Sequence, residues 1–420
     1  MSGEDLIELA DRLWRGDVPI EKNSPFLHLG TLVEVAPRTA FIASAGNVSA
    51  FETDAGLVLV DTGSEPWAGK VHEALRLWSS APVHTIIYSH GHPDHVWGIV
   101  LFDEEARTRG LPRPRLVAHE DVPRRFDRYL RTTGYNTTIN QRQFQDPNIR
   151  WPVQYRYPDQ TYRDTLTLEI GGERFELHHG RGETNDHTWI WAPVRKVLCS
   201  ADFFIWAIPN AGNPQKVQRY AGDWAAALQE MSALDAEVLL PGHGLPVLGS
   251  DRIRQTLTET AELLTSLETQ ALALMNQGSR LDEIIHGVKA PEHLTRRPYL
   301  RPILDEPEFI VRNIWRLYGG WWDGNPATLK PASEADLARE IARLAGGPLR
   351  LAERARALAG AGDLRLAGHL AELAALAAPR DGRVWAIRAD VFRQRAAAEQ
   401  SSIAKGIFGS VATQTQGPPS

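Results

Sequence analysis

Short apolar runs alternate with polar turns along the first 250 residues. TLVEVAPRTAFIAS (31–44), VSAFETDAGLVLVDTG (48–63) and HTIIYSHGH (84–92) are rich in β-branched and aromatic residues and are bounded by Gly, Asp and Pro, so each is predicted to be a strand or a strand pair. GKVHEALRLWSS (69–80) spaces Val71, Ala74, Leu75 and Leu77 for one face of a helix. PRLVAHED (114–121) reads as a further strand and turn, and TLTLEI, ERFELHHG, HTWIWAP and KVLCSADFFIW continue the theme between 165 and 206. A helix, DWAAALQEMSALD (223–235), then leads to the strand EVLLPGHG (237–244). Strands and helices alternating in this way predict an α/β fold, a layered sandwich.

The rhythm changes after 250. DRIRQTLTETAELLTSLETQALALMNQG (251–278) is one long helical period ended by glycine, and DEPEFIVRNIWRLYGGWW (305–322) is another, stopped at Gly319 and Gly320. From 333 to 400 Ala, Leu, Arg and Glu dominate, with helices separated by GG, AGAGD and APRDG; stacked helix pairs suit this stretch, although no clean repeat is visible. The expected division is a helical lead-in at 1–25, an α/β domain at 26–250, an all-α domain at 251–400 and a disordered tail at 401–420, whose end SVATQTQGPPS is polar with Gly and Pro. RTTGYNTTINQRQF (131–144) is a polar stretch after a helix: a surface loop, or a source of pocket residues such as Tyr135, Asn136, Asn140 and Arg142.

Composition narrows the function classes. Of 420 residues 43% are hydrophobic and 23% charged, enough for a large core, and the net charge of −6 argues against a nucleic-acid partner, which needs a basic face. No run of roughly 18 apolar residues occurs, so no membrane span is expected. The acidic, amphipathic start MSGEDLIELADRLWRGD does not read as a secretory signal, and the single cysteine, Cys199, allows no intrachain disulfide. Both fit a reducing, cytoplasmic setting.

The chemistry concentrates in IIYSHGHPDHVWG (86–98), where His90, His92, Asp94 and His95 fall within six positions. Pro93 interrupts the strand, so 91–95 are expected to curl into a loop that leads to a helix. His90 and His92 can then aim at one point, with Asp94 and His95 at a second nearby. Imidazole nitrogens and carboxylates suit zinc and similar divalent ions, and two such points together make a two-metal hydrolytic site. The plain alternative is a solvated polar loop. Three more ionisable groups end apolar strands or sit in Gly-rich turns: Glu183 in HHGRGETNDH, Asp202 in KVLCSAD and His243 in PGHG. Delivering such groups from buried strands is costly unless they are paired or bound.

The order of these motifs, from Asp61 in LVDTG through HGHPDH, Glu183 and Asp202 to the late PGHG, resembles the metallo-β-lactamase superfamily of hydrolases. Most of that superfamily has histidine where Glu183 stands. A glutamate there, with the bridging acid nineteen positions later (202 − 183 = 19), resembles the alkylsulfatase branch, the zinc-dependent alkyl sulfate hydrolases; the bridging acid there is usually glutamate, here Asp202. EPEFIVRNIWRLYGGWWDGNPATLKP, with Tyr318, Gly320, Trp321, Asp323, Gly324, Asn325 and Pro326, resembles the dimerisation domain of those enzymes.

The resemblance implies a four-layer αββα sandwich followed by an all-α dimerisation domain, in a homodimer that buries Trp321 and Trp322. It implies two divalent metal ions per chain, zinc by expectation: one on His90, His92 and Glu183, the other on Asp94, His95 and His243, with Asp202 bridging and Asp61 behind a ligand histidine. Asp94 and Asp202 would serve catalysis directly. His187 is either an acid or extra ligand near the site, or a structural histidine.

The implied reaction is hydrolysis of the sulfate ester of an alkyl alcohol by a metal-activated water. The family's His-Thr-Leu-His-Asn segment and following arginine, which hold sulfate, are replaced here by FFIWAIPNAGNPQKVQR (203–219). Asn210 matches the family asparagine, and Asn213, Lys216 and Arg219 are other polar or cationic groups nearby. Substrate contacts are expected from Asn210, Trp206, Asn213 and Asn140; Trp97, Phe204 and Trp206 are either pocket lining or core. The sterol-carrier-like domain that usually ends those enzymes is not expected within this sequence. This departure leaves room for a hydrolase of another small-molecule ester, amide, lactone or C–O bond on the same scaffold, and a relict metal domain in a scaffold protein is the non-enzymatic alternative.

Overall fold

The computed structural model describes residues 2–414. Its first sheet runs in sequence order: β1 (Thr31–Ala36), β2 (Thr39–Ala43), β3 (Val48–Thr53), β4 (Gly56–Val60), β5 (Val83–Ile87), β6 (Arg115–His119) and β7 (Gln160–Tyr162), antiparallel up to β4 and parallel beyond it. The second contains β8 (Thr165–Ile170), β9 (Glu173–His179), β10 (Thr188–Ala192), β11 (Val197–Ala201), β12 (Val238–Pro241) and β13 (Val247–Leu248), in the order β13-β12-β11-β10-β9-β8.

Side-chain alternation makes the layers. In β4, Val58 and Val60 enter the core between the sheets, while Leu57 and Leu59 face helices outside. Those outer helices are α2 (Ala68–Trp78), α4 (Ile99–Thr108) and α5 (Asp121–Arg131); α1 (Gly3–Arg15) packs against β1, and α3 (Pro93–Val96) is a single turn after the HGH segment. On the far side lie α7 (Ala221–Ser232) and α8 (Ser250–Asn276), packed together over the second sheet. The expected αββα sandwich is therefore present. The polar stretch 131–144 is not a loop: α6 (Thr133–Phe144) occupies it, burying Asn136, Ile139 and Asn140.

The chain after α8 contains α9 (Leu281–Gly287), α10 (Glu292–Thr295), α11 (Pro307–Tyr318), α12 (Pro326–Leu329), α13 (Glu334–Leu344), α14 (Pro348–Gly360), α15 (Leu364–Ala377), α16 (Gly382–Ala398) and α17 (Ser402–Ala412). The expected break near 250 is not a break in packing. Leu257 and Leu264 of α8, Ile284 of α9 and Ile310 of α11 share the sandwich core, and a separate core begins only around Ala342. The expected tail is also different. Residues 402–412 form α17, which seats on α6 so closely that a Cβ at Gly406 would collide with the Gln143 carbonyl. The remainder of that tail, 415–420, lies outside the described residues.

Candidate metal centre

Strand ends position most of the metal-ligand candidates, and Glu183 comes from the turn between β9 and β10. β5 delivers His90 and His92, and α3 then carries Asp94 and His95. β11 delivers Asp202 through a register shift at Cys199/Ala201, with Ala201 in the left-handed region (φ 47°); such a bulge re-aims the next side chain. β12 delivers His243. A Cβ at Gly242 would collide with Asp202 Oδ1, so glycine is required for the two strand ends to converge. The His243 loop is tied to the first sheet by buried Asn47, whose amide donates to Pro241 O and Gly244 O, both at 3.0 Å.

Two groups of ligand atoms result: His90, His92, Glu183 and Asp202 in one, Asp94, His95 and His243 in the other, each within 4.8 Å of one another. Asp202 Oδ2 faces both. It lies 3.7 Å from His90 Nε2, 3.5 Å from His95 Nε2 and 3.4 Å from His243 Nε2. His95 Nε2 and His243 Nε2 are 3.3 Å apart, as are His243 Nε2 and Asp94 Oδ2; His90 Nε2 and His92 Nδ1 are 2.8 Å apart.

The atoms turned away from this centre are occupied. Asp61, at the end of β4 with φ 62°, accepts from Ser89 N and Oγ, both at 2.7 Å, and lies 2.8 Å from His95 Nδ1. Ser89 Oγ is 3.0 Å from His90 Nδ1. Glu183 Oε1 accepts from Asn210 Nδ2 at 2.6 Å and from Arg219 Nη1, which leaves Oε2 facing His92 at 3.9 Å. His90, His95 and Glu183 are thus oriented from behind, as ligands of a metal site are.

Electrostatics agree with a site built for cations. Burial drives His90 and His92 well below the usual histidine range, so each imidazole stays neutral with one ring nitrogen free to ligate. Burial opposes charge at His243 too, but Asp202 and Asp94 raise it to about 10; His95 is raised in the same way. Burial works against Asp202 ionising, yet His243 and His95 hold it well below the carboxylate range. Burial lifts Glu183 to about 7 against the pull of Arg219. Asp202 Oδ1 is buried with no hydrogen-bond donor. Four imidazoles and three carboxylates converging out of water, with an unpartnered oxygen among them, fit a pair of divalent ions.

Other expected residues fall at different distances from this centre. His187 belongs to neither group. It stacks on His90 (centroids 4.2 Å apart), its Nε2 accepts the Asp202 backbone N–H at 3.3 Å, and burial lowers its pKa to about 3. Asn210 reaches the site through Glu183, with its Oδ1 unpartnered. Trp206 is buried, donates to Leu245 O at 2.6 Å, and forms part of the wall of a separate cavity of about 620 Å³ between α1 and β13. Phe204 is also buried; Trp97 is half-buried. Asn213 is committed to Gln143 and to the Gln215 backbone, and Asn140 bonds Asn136 O and Lys216.

Two residues carried no sequence signal. Asp186 accepts from Gly91 N at 3.1 Å, between His90 and His92, and from Arg125 Nε at 2.7 Å; both side chains are buried. Arg125 also donates to Asn185 Oδ1 at 2.7 Å. Only the fold brings α5 beside the β9–β10 turn.

Comparison with known proteins now becomes decisive. The model of the metallo-beta-lactamase superfamily matches residues 42–243, and that of the alkyl sulfatase dimerisation domain matches residues 280–417. The chain belongs to the metallo-β-lactamase superfamily. Its second half carries that dimerisation domain. It is 30% identical over 341 residues to a linear primary-alkylsulfatase of Pseudomonas sp., covering 76% of this chain and 63% of the relative. To an (R)-specific secondary-alkylsulfatase of Pseudomonas sp. it is 27% identical over 423 residues, covering 91% of this chain and 62% of the relative. A solved double mutant of the sec-alkyl sulfatase PisA1 superposes with TM-score 0.81 at 25% identity, over 91% of this chain and 64% of that one. The chain spans less than two thirds of the length of these relatives.

Proposed function

We propose that this metallo-β-lactamase-fold chain is a dinuclear metal-dependent hydrolase that cleaves sulfate esters of alkyl alcohols. The observation that carries the reading is Asp202 Oδ2, within 3.7 Å of three histidines drawn from both ligand groups. The relatives named as alkylsulfatases supply the substrate class. His90, His92 and Glu183 would hold one ion and Asp94, His95 and His243 the other, with Asp202 facing both groups. Divalent ions such as zinc, when bound, would supply an acidic water at neutral pH and positive charge beside the leaving oxygen.

The chain's own groups prepare that chemistry. Asp61 and Ser89 fix the tautomers of His95 and His90, so that Nε2 of each faces the centre. Arg219 and Asn210 anchor one oxygen of Glu183 and turn the other toward His92. His187, neutral, accepts the Asp202 N–H and holds that backbone in place, a supporting role rather than a proton donor. The turn from Trp321 to Pro326, with Trp321 74% exposed, mates with a second copy. The lone cysteine suits a reducing compartment such as the cytoplasm.

A second reading keeps the metals and changes the bond. It is favoured by the segment after Asp202, where Phe203, Phe204, Ile205 and Trp206 are buried and no histidine is present. A panel of primary and secondary alkyl sulfates, a lactone, a carboxylic ester and a phosphate ester, assayed on zinc-loaded protein, separates the two. Sulfate release that a chelator abolishes and zinc restores is the expected result. Turnover of other esters with no sulfate release from any alkyl sulfate would overturn the substrate assignment.

A further inference from the structure

A cavity of about 620 Å³ lies between α1, β1 and β13, apart from the metal centre: none of the seven ligand candidates lines it. Its walls are apolar, with Ile7 and Trp14 from α1, Val33 from β1, Leu248 from β13 and Trp206 from the segment after Asp202. The two indoles are held from outside. Trp14 stacks on Tyr299 with ring centres 4.8 Å apart. Trp206 is pinned by its bond to Leu245 O and by Gly244, where a Cβ would lie 2.7 Å from the indole. A lumen of this size falls within the roughly 300–1,000 Å³ of cavities that take a small organic molecule.

The rim is acidic. Glu4, Glu8 and Asp11 recur at helical spacing, so they share one face of α1 with Ile7 and Trp14, and Glu34 joins them from β1. Among the described residues that line the cavity, Arg252 of α8 is the one base, and it is already engaged. It donates to Asp11 Oδ1 at 2.7 Å and lies 5.5 Å from the centre of the Trp14 ring. Glu4, Glu8 and Glu34 form no ion pair among the described residues; Glu34 accepts from neutral donors, the Arg38 backbone N–H at 2.8 Å and the Trp78 indole at 3.3 Å. The helix dipole accounts for Glu4 in the first turn of α1, but Glu8 stands beyond that turn and Glu34 is on a strand. Like charges gathered on one rim repel, and a cation placed among them removes that repulsion.

Apolar walls under an anionic rim select a ligand with an apolar tail and a positive head. We propose that this cavity binds an alkylammonium ion, its chain against Trp14, Val33 and Trp206 and its ammonium among Glu4, Glu8 and Glu34. The site lies away from the hydrolytic centre and stands whether or not that centre cleaves sulfate esters.

The test is titration calorimetry of zinc-loaded full-length protein with octylammonium chloride and with neutral 1-octanol, a probe of the same chain length. Octylammonium should bind wild type about fivefold more tightly than 1-octanol, the value of two or three partly exposed charge pairs, and added salt should narrow that gap. The double variant Glu4→Gln/Glu8→Gln should bring octylammonium close to the 1-octanol affinity and leave 1-octanol unchanged. Ile7→Trp, which fills the lumen without altering charge, should weaken both probes. Thermal melting checks that the variants fold. Octylammonium binding no tighter than 1-octanol in wild type, or an affinity that neither the double variant nor Ile7→Trp lowers, would overturn the proposal.

Discussion

The metal centre and the cluster of Asn140, Lys216 and Trp151 are built in opposite ways. His90, Asp202 and His243 follow apolar strands, and His95, His90 and Glu183 are tied from behind by Asp61, Ser89 and Asn210. The cluster is assembled from α6, the Trp151 segment and the 213–219 loop, three stretches with no shared pattern. Strand ends announce the first in the sequence; only the fold brings the second together.

The strongest way to break the contrast is to remove the shared oxygen. Asp202→Ala should lose metal at both positions and lower kcat/KM by on the order of a thousandfold, several kcal/mol of charge stabilisation. Metal content by elemental analysis, compared with wild type, checks it; two ions retained would show that Asp202 is not shared.

Next in size is the buried pair behind the histidine loop. Asp186→Ala leaves Arg125 uncompensated and frees the Gly91 N–H, so stability should drop by about 3–5 kcal/mol in thermal or denaturant unfolding. Metal affinity at the His90/His92 position should fall roughly 10–100-fold. An unchanged metal affinity in the folded fraction would confine the pair to stability.

The smallest expected effect on turnover is Trp321→Glu, which should yield monomers in sedimentation at micromolar concentration while leaving kcat nearly unchanged.

The same contrast explains what was legible in the chain. His90, His92, Asp94 and His95 share one segment, and Asp202 and His243 each follow an apolar strand, so local pattern pointed to them; Glu183 stands in a Gly-rich turn and took its meaning from the family resemblance. The sandwich was legible because its strands are short apolar runs bounded by Gly, Asp and Pro; β7 and β13 were too short to stand out. Asp186 and Arg125 were invisible, since their meaning depends on α5 lying beside the β9–β10 turn, 61 positions apart in sequence. Trp206 looked like pocket lining because aromatic residues after a strand suit either role; its indole is instead spent on Leu245 O. The polar stretch 131–144 hid a helix because its buried face carries asparagines, which pair with backbone carbonyls rather than forming an apolar stripe.

The contact between α17 and α6 reaches further than packing. Gly406 lets α17 rest directly on the Gln143 carbonyl, one turn along from Asn140, so a stretch more than 250 residues further along the chain braces the helix that buries Asn136 and Asn140. Shortening the chain before Ser402 would therefore expose α6 long before it disturbed the strand ends that carry His90, Asp202 and His243.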